Sequence, residues 1–254
     1  KEMARCRFIF GCLPTPVKEG TYDTTAIEST IKQLQEEGFG GIFINRSTVL
    51  PGYARHLMES YTIPVVSNPE FLREGSAVSD FMNPDRIVIG TNSKKAKEIM
   101  EKLYKPLNAP LLFTDIKSAE MIKHASNSFL AAKISFINAV ANICELTGAD
   151  VEKVAEGMGY DKRIARSFLN AGIGYGGFCF PKDVEAFIRL AENKGYNFEL
   201  LKSVQKINKN QLDLFIKKVG DAVYDFISAS DPVGQCAQVY GKATNQLIRE
   251  RVDE

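Results

Sequence analysis

Between residues 6 and 114 the chain repeats one pattern: a short apolar run bounded by turn residues, then a stretch with apolar side chains at helical spacing. The runs at 6–13, 41–45, 63–67, 86–90 and 111–114 have the length and punctuation of strands. Between them, Ile27, Ile31 and Leu34 share one face of a helix that Asp23 or Thr24 can cap, and Ser93 opens another that runs through Leu103. Strands alternating with helices imply an α/β fold with a parallel sheet and right-handed crossovers. Such sheets gather ligands at the carboxyl ends of their strands, where Thr15, Thr48 and Glu70 fall. Glu70 and Glu74 are four residues apart; they share a face if the segment is helical, and otherwise form a solvated charged turn.

The second half of the chain reads as helical. Residues 118–147 contain no proline and carry Met121, Ile122, Ala125, Phe129, Ile134, Ile137, Val140, Ala141, Cys144 and Leu146, with Gly148 as the stop. This stretch is more apolar all round than a surface helix, which predicts a buried central helix and a natural dimer element. Lys123 and Asn127 share one of its faces, either as a surface pair or as a buried ammonium that needs a partner. Asp150 can cap a short helix ending near Gly157, and Gly195 stops a helix that ends at Lys194. Leu201, Val204, Ile207, Phe215, Val219, Val223, Phe226 and Ile227 outline a last amphipathic helix. Past Asp231-Pro232 the chain is polar, a short helix or a tail.

Between these helices lies Gly172-Ile173-Gly174-Tyr175-Gly176-Gly177-Phe178-Cys179-Phe180-Pro181-Lys182-Asp183. Pro181 suits the first position of the helix that follows, so Cys179 is expected just outside a helix N-terminus, where the partial positive charge favours a thiolate. A reactive thiol competes here with the blander reading of a buried structural cysteine. Gly172, Gly174 and Gly177 also match a dinucleotide-binding glycine pattern, but that turn must follow a strand, and 166–170 reads as a helix end or loop.

With 254 residues the chain is long enough for one large or two ordinary domains, and a net charge of +1 with mixed signs argues for neither a nucleic-acid nor a membrane partner. The five cysteines are scattered, and there is no leader or apolar run approaching the ~20 residues that span a bilayer, so a cytoplasmic protein is expected. Only His56 and His124 supply imidazoles, which makes a zinc site unexpected.

Six ordered stretches together resemble the UDP-glucose/GDP-mannose dehydrogenase family: Pro14-Thr15-Pro16-Val17, Ser47-Thr48-Val49, 68–75, 84–90, 120–127 and the Cys179 loop. The likeness runs from about residue 6 to residue 211. It implies a partial Rossmann-like parallel sheet (1–115), an all-helical central dimerisation domain with a long core helix (116–230) and a divergent tail (231–254). It also implies oxidation of a nucleotide sugar's C6 alcohol to a carboxylate with NAD and no metal. Cys179 would hold the aldehyde as a thiohemiacetal and then a thioester, with Lys123 and Asn127 stabilising the oxyanion. Asp183 and Thr48 would position water, and Glu70 or Glu74 would transfer protons. Phe71, Leu72, Gly172, Gly176 and Phe178 would shape the sugar-nucleotide site, to which a second subunit would send Arg163. Thr15, Ser47 and Lys182 fall on the cofactor side. The partner implied by the 118–147 helix is a second copy of the chain.

By the same resemblance, the family's first strand, glycine-rich turn and ribose-binding acid fall ahead of Lys1, and residues after about 210 are unlike its third domain. Two alternatives stay open on sequence alone. One is a non-catalytic dimerisation or sugar-nucleotide-binding remnant; the other is a relative of the hydroxyacid dehydrogenases, which carry a similar Lys and Asn but need no cysteine.

Overall fold

The computed structural model describes residues 3–18 and 20–230, except for the side chains of residue 4 and residues 224–230; the tail expected at 231–254 lies outside the described residues. The chain packs as two compact units. The first takes the chain up to Ser128 together with Lys182–Asn197, and the second takes Phe129–Pro181 and the chain from Phe198 on.

In chain order, the first unit contains β1 (Phe8–Gly11), the hairpin β2 (Val17–Lys18) and β3 (Thr21–Tyr22), α1 (Thr25–Glu36), β4 (Ile42–Asn45) and α2 (Tyr53–Ser60). These are followed by β5 (Val65–Ser67), α3 (Ala77–Met82), β6 (Ile87–Gly90), α4 (Lys94–Tyr104) and β7 (Leu111–Thr114). Helices α5 (Ile116–Thr147), as far as Ser128, and α7 (Phe180–Asn193), from Lys182, complete it. The large sheet has the order β1-β4-β5-β6-β7. Pairing is parallel from β1 through β5 and again between β6 and β7, and a single antiparallel bridge, Ser67 to Gly90, joins the two ribbons.

Alternation along the central strands sorts the core into two layers. Phe43 and Val65 face α1, α2 and the start of α5, where Ile27, Ile31, Leu34, Ala54, Leu57 and Ile116 meet them. Ile42, Ile44 and Val66 face the other way, onto Ala96, Met100 and Tyr104 of α4. Every residue of β4 is therefore buried, as a strand covered on both faces requires. Each fully buried aliphatic side chain contributes roughly 1.5–3 kcal/mol relative to exposure. The run at 6–13 forms the edge strand β1, so Phe8 and Ile9 are only half-buried and Phe10 is exposed.

Local signals set the helix ends. Asp23 Oδ1 accepts from the Thr25 N–H at 3.1 Å and from Thr25 Oγ1 at 2.6 Å, Ser93 Oγ accepts from the Ala96 N–H at 3.2 Å, and Asp150 Oδ1 accepts from the Glu152 N–H at 2.9 Å. The β2–β3 hairpin leaves no trace in the periodicity because its strands are two residues long. The segment at 70–73 is not helical, so Glu70 and Glu74 share no helical face; Glu74 is exposed on a turn ahead of α3.

The second unit is helical: α5 from Phe129, α6 (Val151–Gly159), and α8 (Glu199–Ser230). Ile137, Ala155 and Leu169 form one buried cluster in it. Ser135 Oγ donates to the Val204 carbonyl at 3.0 Å, and Asn142 Nδ2 donates to Gln211 Oε1 at 3.0 Å, tying α5 to α8.

Two expectations about α5 need correction. The helix is not buried all round: Phe129, Phe136 and Ile143 are 67%, 54% and 59% exposed, a stripe at seven-residue spacing that none of the described residues of the second unit covers. By length and composition α5 also passes for a membrane span, because a helix tolerates interspersed polar residues that interrupt an apolar run. Its buried Ala119, Lys123, His124, Asn127, Ser135 and Asn138 are a core helix's complement.

At Gly90 the start of α5 packs on the sheet with no room for a side chain. A Cβ built there would stand 2.5 Å from Ala119 Cβ and 3.0 Å from Ile116 Cα. Replacing Gly90 with Ala should therefore force strand and helix apart and lower the unfolding free energy by about 1–3 kcal/mol in urea titrations; an unchanged midpoint would contradict this close approach.

Candidate active site

The first unit holds most of the polar side chains singled out above. On the buried face of α5, Glu120, Lys123, His124 and Asn127 follow one another at helical spacing, and each is engaged. Lys123, 5% exposed, donates from Nζ to Glu70 Oε1 at 2.9 Å. The second oxygen of Glu70 accepts from the Leu72 N–H at 2.7 Å, which fixes the carboxylate on its loop. Phe71 lies beside this pair, with Lys123 Nζ 5.5 Å and the Arg86 guanidinium 3.9 Å from its ring centroid. A low-dielectric ammonium needs such a counter-charge, and Glu70 supplies it from the carboxyl end of β5.

A second centre forms around Asp183, in the first turn of α7 and 0% exposed. Its Oδ2 accepts from Asn127 Nδ2 at 2.6 Å, while its Oδ1 accepts from Lys182 Nζ at 2.5 Å and from the Tyr22 hydroxyl at 2.7 Å. Lys182 also stands 5.0 Å over the Tyr22 ring. Three donors, one of them charged, satisfy a carboxylate that burial alone would penalise.

The loop carrying Thr48, after β4, is fastened from several sides. Ser47 Oγ accepts from the Leu13 N–H at 2.9 Å and donates to the Leu13 carbonyl at 2.7 Å, and Thr15 Oγ1 donates to the Thr48 carbonyl at 2.8 Å. His124 Nε2 donates to the Val49 carbonyl at 2.8 Å, and burial holds its imidazole below the ordinary histidine range. Glu120 accepts from the backbone N–H groups of Gly52 and Ala54, the latter at 2.9 Å, so its carboxylate caps α2. Burial nevertheless pushes Glu120 up to about 7, against the lowering influence of those N–H donors.

The second unit holds the remaining candidates. Cys179 is exposed immediately before α7, with Pro181 at the second helical position rather than the first. The glycine run ahead of it is clamped by amide side chains. Asn208 both accepts from the Tyr175 N–H (2.7 Å) and donates to the Tyr175 carbonyl (2.9 Å), Gln211 donates to the Gly172 carbonyl (3.0 Å), and Asn138 accepts from the Gly172 N–H (2.8 Å). Gly174 has φ +111°, and a Cβ there would come 2.5 Å from Asn208 Oδ1, so only glycine fits. Gly172, Gly176 and Phe178 are exposed along this run. Arg163 is exposed and paired with Asp161 at 2.6 Å.

Sequence reasoning overlooked Tyr22, Glu120 and His124. Tyr22 sits in a hairpin with no periodic signal, and the other two look like ordinary helix positions until the fold brings backbone groups to them.

Residues 1–108 match the NAD binding domain of the UDP-glucose/GDP-mannose dehydrogenase family, and residues 117–210 match its central domain. The chain belongs to this family. Among family relatives, it is 48% identical over 228 residues to the UDP-glucose 6-dehydrogenase YwqF of Bacillus subtilis, covering 86% of this chain and 52% of that one. It is 49% identical over 214 residues to the UDP-glucose 6-dehydrogenase TuaD of the same organism, covering 80% and 46%. A solved UDP-glucose dehydrogenase from Pyrobaculum islandicum superposes with a TM-score of 0.80 at 35% identity, covering 89% of this chain and 54% of that one. The chain thus spans about half the length of the curated relatives it matches.

Because Glu120 titrates higher in the folded protein than its ordinary 4.5, the stability it contributes is complete below that value and is lost as the pH rises through about 7. Glu120→Gln removes the titration. The stability difference between variant and parent should move in the variant's favour from about pH 5 to about pH 8, by on the order of 3 kcal/mol, as read by denaturant melts at each pH. A pH-independent difference would contradict this environment.

Proposed function

We propose that the chain performs NAD-dependent oxidation of a nucleotide sugar, of the UDP-glucose to UDP-glucuronate type, through a covalent cysteine intermediate. The observation that carries this reading is the pair of polar contacts one turn apart on α5: Lys123 against Glu70, and Asn127 against Asp183. A helix buries an ammonium and an amide side by side at a cost, and both are suited to stabilising developing negative charge in a water-poor site. The names of the family relatives, UDP-glucose 6-dehydrogenases, favour UDP-glucose as the sugar nucleotide.

On this reading Cys179 adds its sulfur to the C6 aldehyde, giving a thiohemiacetal, and oxidation of that adduct leaves a thioester. Lys123 and Asn127 hold the oxyanion, and Glu70 receives or returns the proton through its contact with the Lys123 ammonium. Water held by Thr48 and Asp183 attacks the thioester, releasing the carboxylate and restoring the thiol. Glu74 is the less favoured acid or base because it stands exposed on its turn. Phe71 and Leu72, with Gly172, Gly176 and Phe178, are assigned to the sugar nucleotide.

NAD, when bound, accepts the hydride of each oxidation. The carboxyl ends of the parallel strands β1 and β4 fit it: the loops there are fastened to each other through Ser47 and Thr15, and the buried Asn45 Oδ1 at the end of β4 has no partner among the described residues. Thr15 and Ser47 hold these loops, and Lys182 holds Asp183. The exposed stripe of Phe129, Phe136 and Ile143 supports a homodimer through α5, and Arg163, exposed on the second unit, supports a contribution to a neighbouring subunit.

NADH formation from NAD and UDP-glucose tests the activity. Cys179→Ser and Lys123→Met should each lower turnover on the order of a hundredfold or more, and rates equal to the parent would reject the assignment. Phe136→Asp should shift the chain from dimer to monomer in light scattering; a mass unchanged by the substitution would place any dimer contact elsewhere.

A further inference from the structure

Asp183 is gripped by a side chain from a part of the chain that none of the motifs includes. Its carboxylate offers about four acceptor positions. Lys182 is its chain neighbour and Asn127 lies on α5, but the third donor, Tyr22, comes from the β2–β3 hairpin, 161 residues away in sequence. Two-residue strands do not hold a hairpin in place unaided. This one is pinned at Gly20, where φ is +76° and a Cβ would stand 2.7 Å from Arg189 Cγ on α7, and at Tyr22 itself. The Tyr22 ring is buried, tilted against His124 at 5.7 Å and beneath the Lys182 ammonium.

A phenylalanine would keep those ring contacts; the hydroxyl adds a directed bond to Asp183 Oδ1. Without it, Oδ1 would rely on Lys182, a flexible cation with rotatable donors that sets no plane. A carboxylate turns easily about its last torsion, and a turn here would carry Oδ2 away from the Asn127 amide. We infer that Tyr22 is a positioning residue, whose hydroxyl sets the plane of the Asp183 carboxylate and through it the orientation of the Asn127 amide. This rests on the reading in which Asp183 and Asn127 serve the reaction.

Tyr22→Phe removes the O–H and keeps the ring. In steady-state NADH formation kcat should fall about tenfold, while KM for UDP-glucose stays within about twofold. In 15N-correlated spectra the Asn127 side-chain amide, assigned by its loss in Asn127→Asp, should shift in Tyr22→Phe. It should also shift in Asp183→Asn, where adding Tyr22→Phe changes neither signal nor rate further. An unmoved amide with an unchanged kcat overturns the inference, as does an equal loss of kcat in the Asp183→Asn background. If Tyr22→Phe fails to fold, Tyr22→Leu, which also lacks the hydroxyl, takes its place: an unmoved Asn127 amide overturns the inference, and a shifted one upholds it. Absence of turnover in the parent chain rejects the functional reading alone, since the amide signal then decides the role of Tyr22 without it.

Discussion

Lys123 is a cation that the fold buries on the inner face of a long apolar helix, and much of the first unit is arranged around making that tolerable. An unpaired ammonium there would be far costlier than any single apolar contact could offset. Glu70 answers it, but a carboxylate can do so only from a fixed place, so the loop after β5 is held by its own backbone N–H at Leu72 and by Phe71 lying between two cations. The parallel ribbon β1-β4-β5 brings that loop to the same edge as the loops after β1 and β4. Sheet topology and the electrostatics of one side chain are thus parts of one solution.

The same helix face fastens its surroundings by different chemistry at each turn. Glu120 caps α2, His124 takes the Val49 carbonyl and Asn127 takes Asp183. Each contact joins a helix side chain to a loop or helix start, and the first two fasten the chain between β4 and α2. Glycine-rich backbone in the second unit is disciplined in a comparable way, by Asn138, Asn208 and Gln211 rather than by charge.

Much of this was legible in the sequence because it depends on patterns that repeat. The strands at 42–45, 87–90 and 111–114, the caps at Asp23, Ser93 and Asp150, and the length of α5 all follow from local spacing and turn chemistry. Lys123 and Asn127 announced themselves as polar residues on an apolar helix. What escaped was whatever needs a partner distant in the chain. Tyr22 looks like any tyrosine until a hairpin too short to show a period delivers it to Asp183, and Glu120 looks like a solvated acid until α2 starts beside it. The apolar composition of α5 predicts burial all round, yet composition does not distinguish the face that packs on the chain's own helices from the stripe that stays exposed.

The stripe of Phe129, Phe136 and Ile143 carries a thermodynamic consequence. In the homodimer proposed above, a face that another copy covers contributes nothing to a chain in isolation, and the free energy holding the second unit together becomes partly a function of how crowded its copies are. For that assembly mass action would tie folding to abundance: dilution would loosen the helices, and a cell that made too little of the chain would make a less durable one.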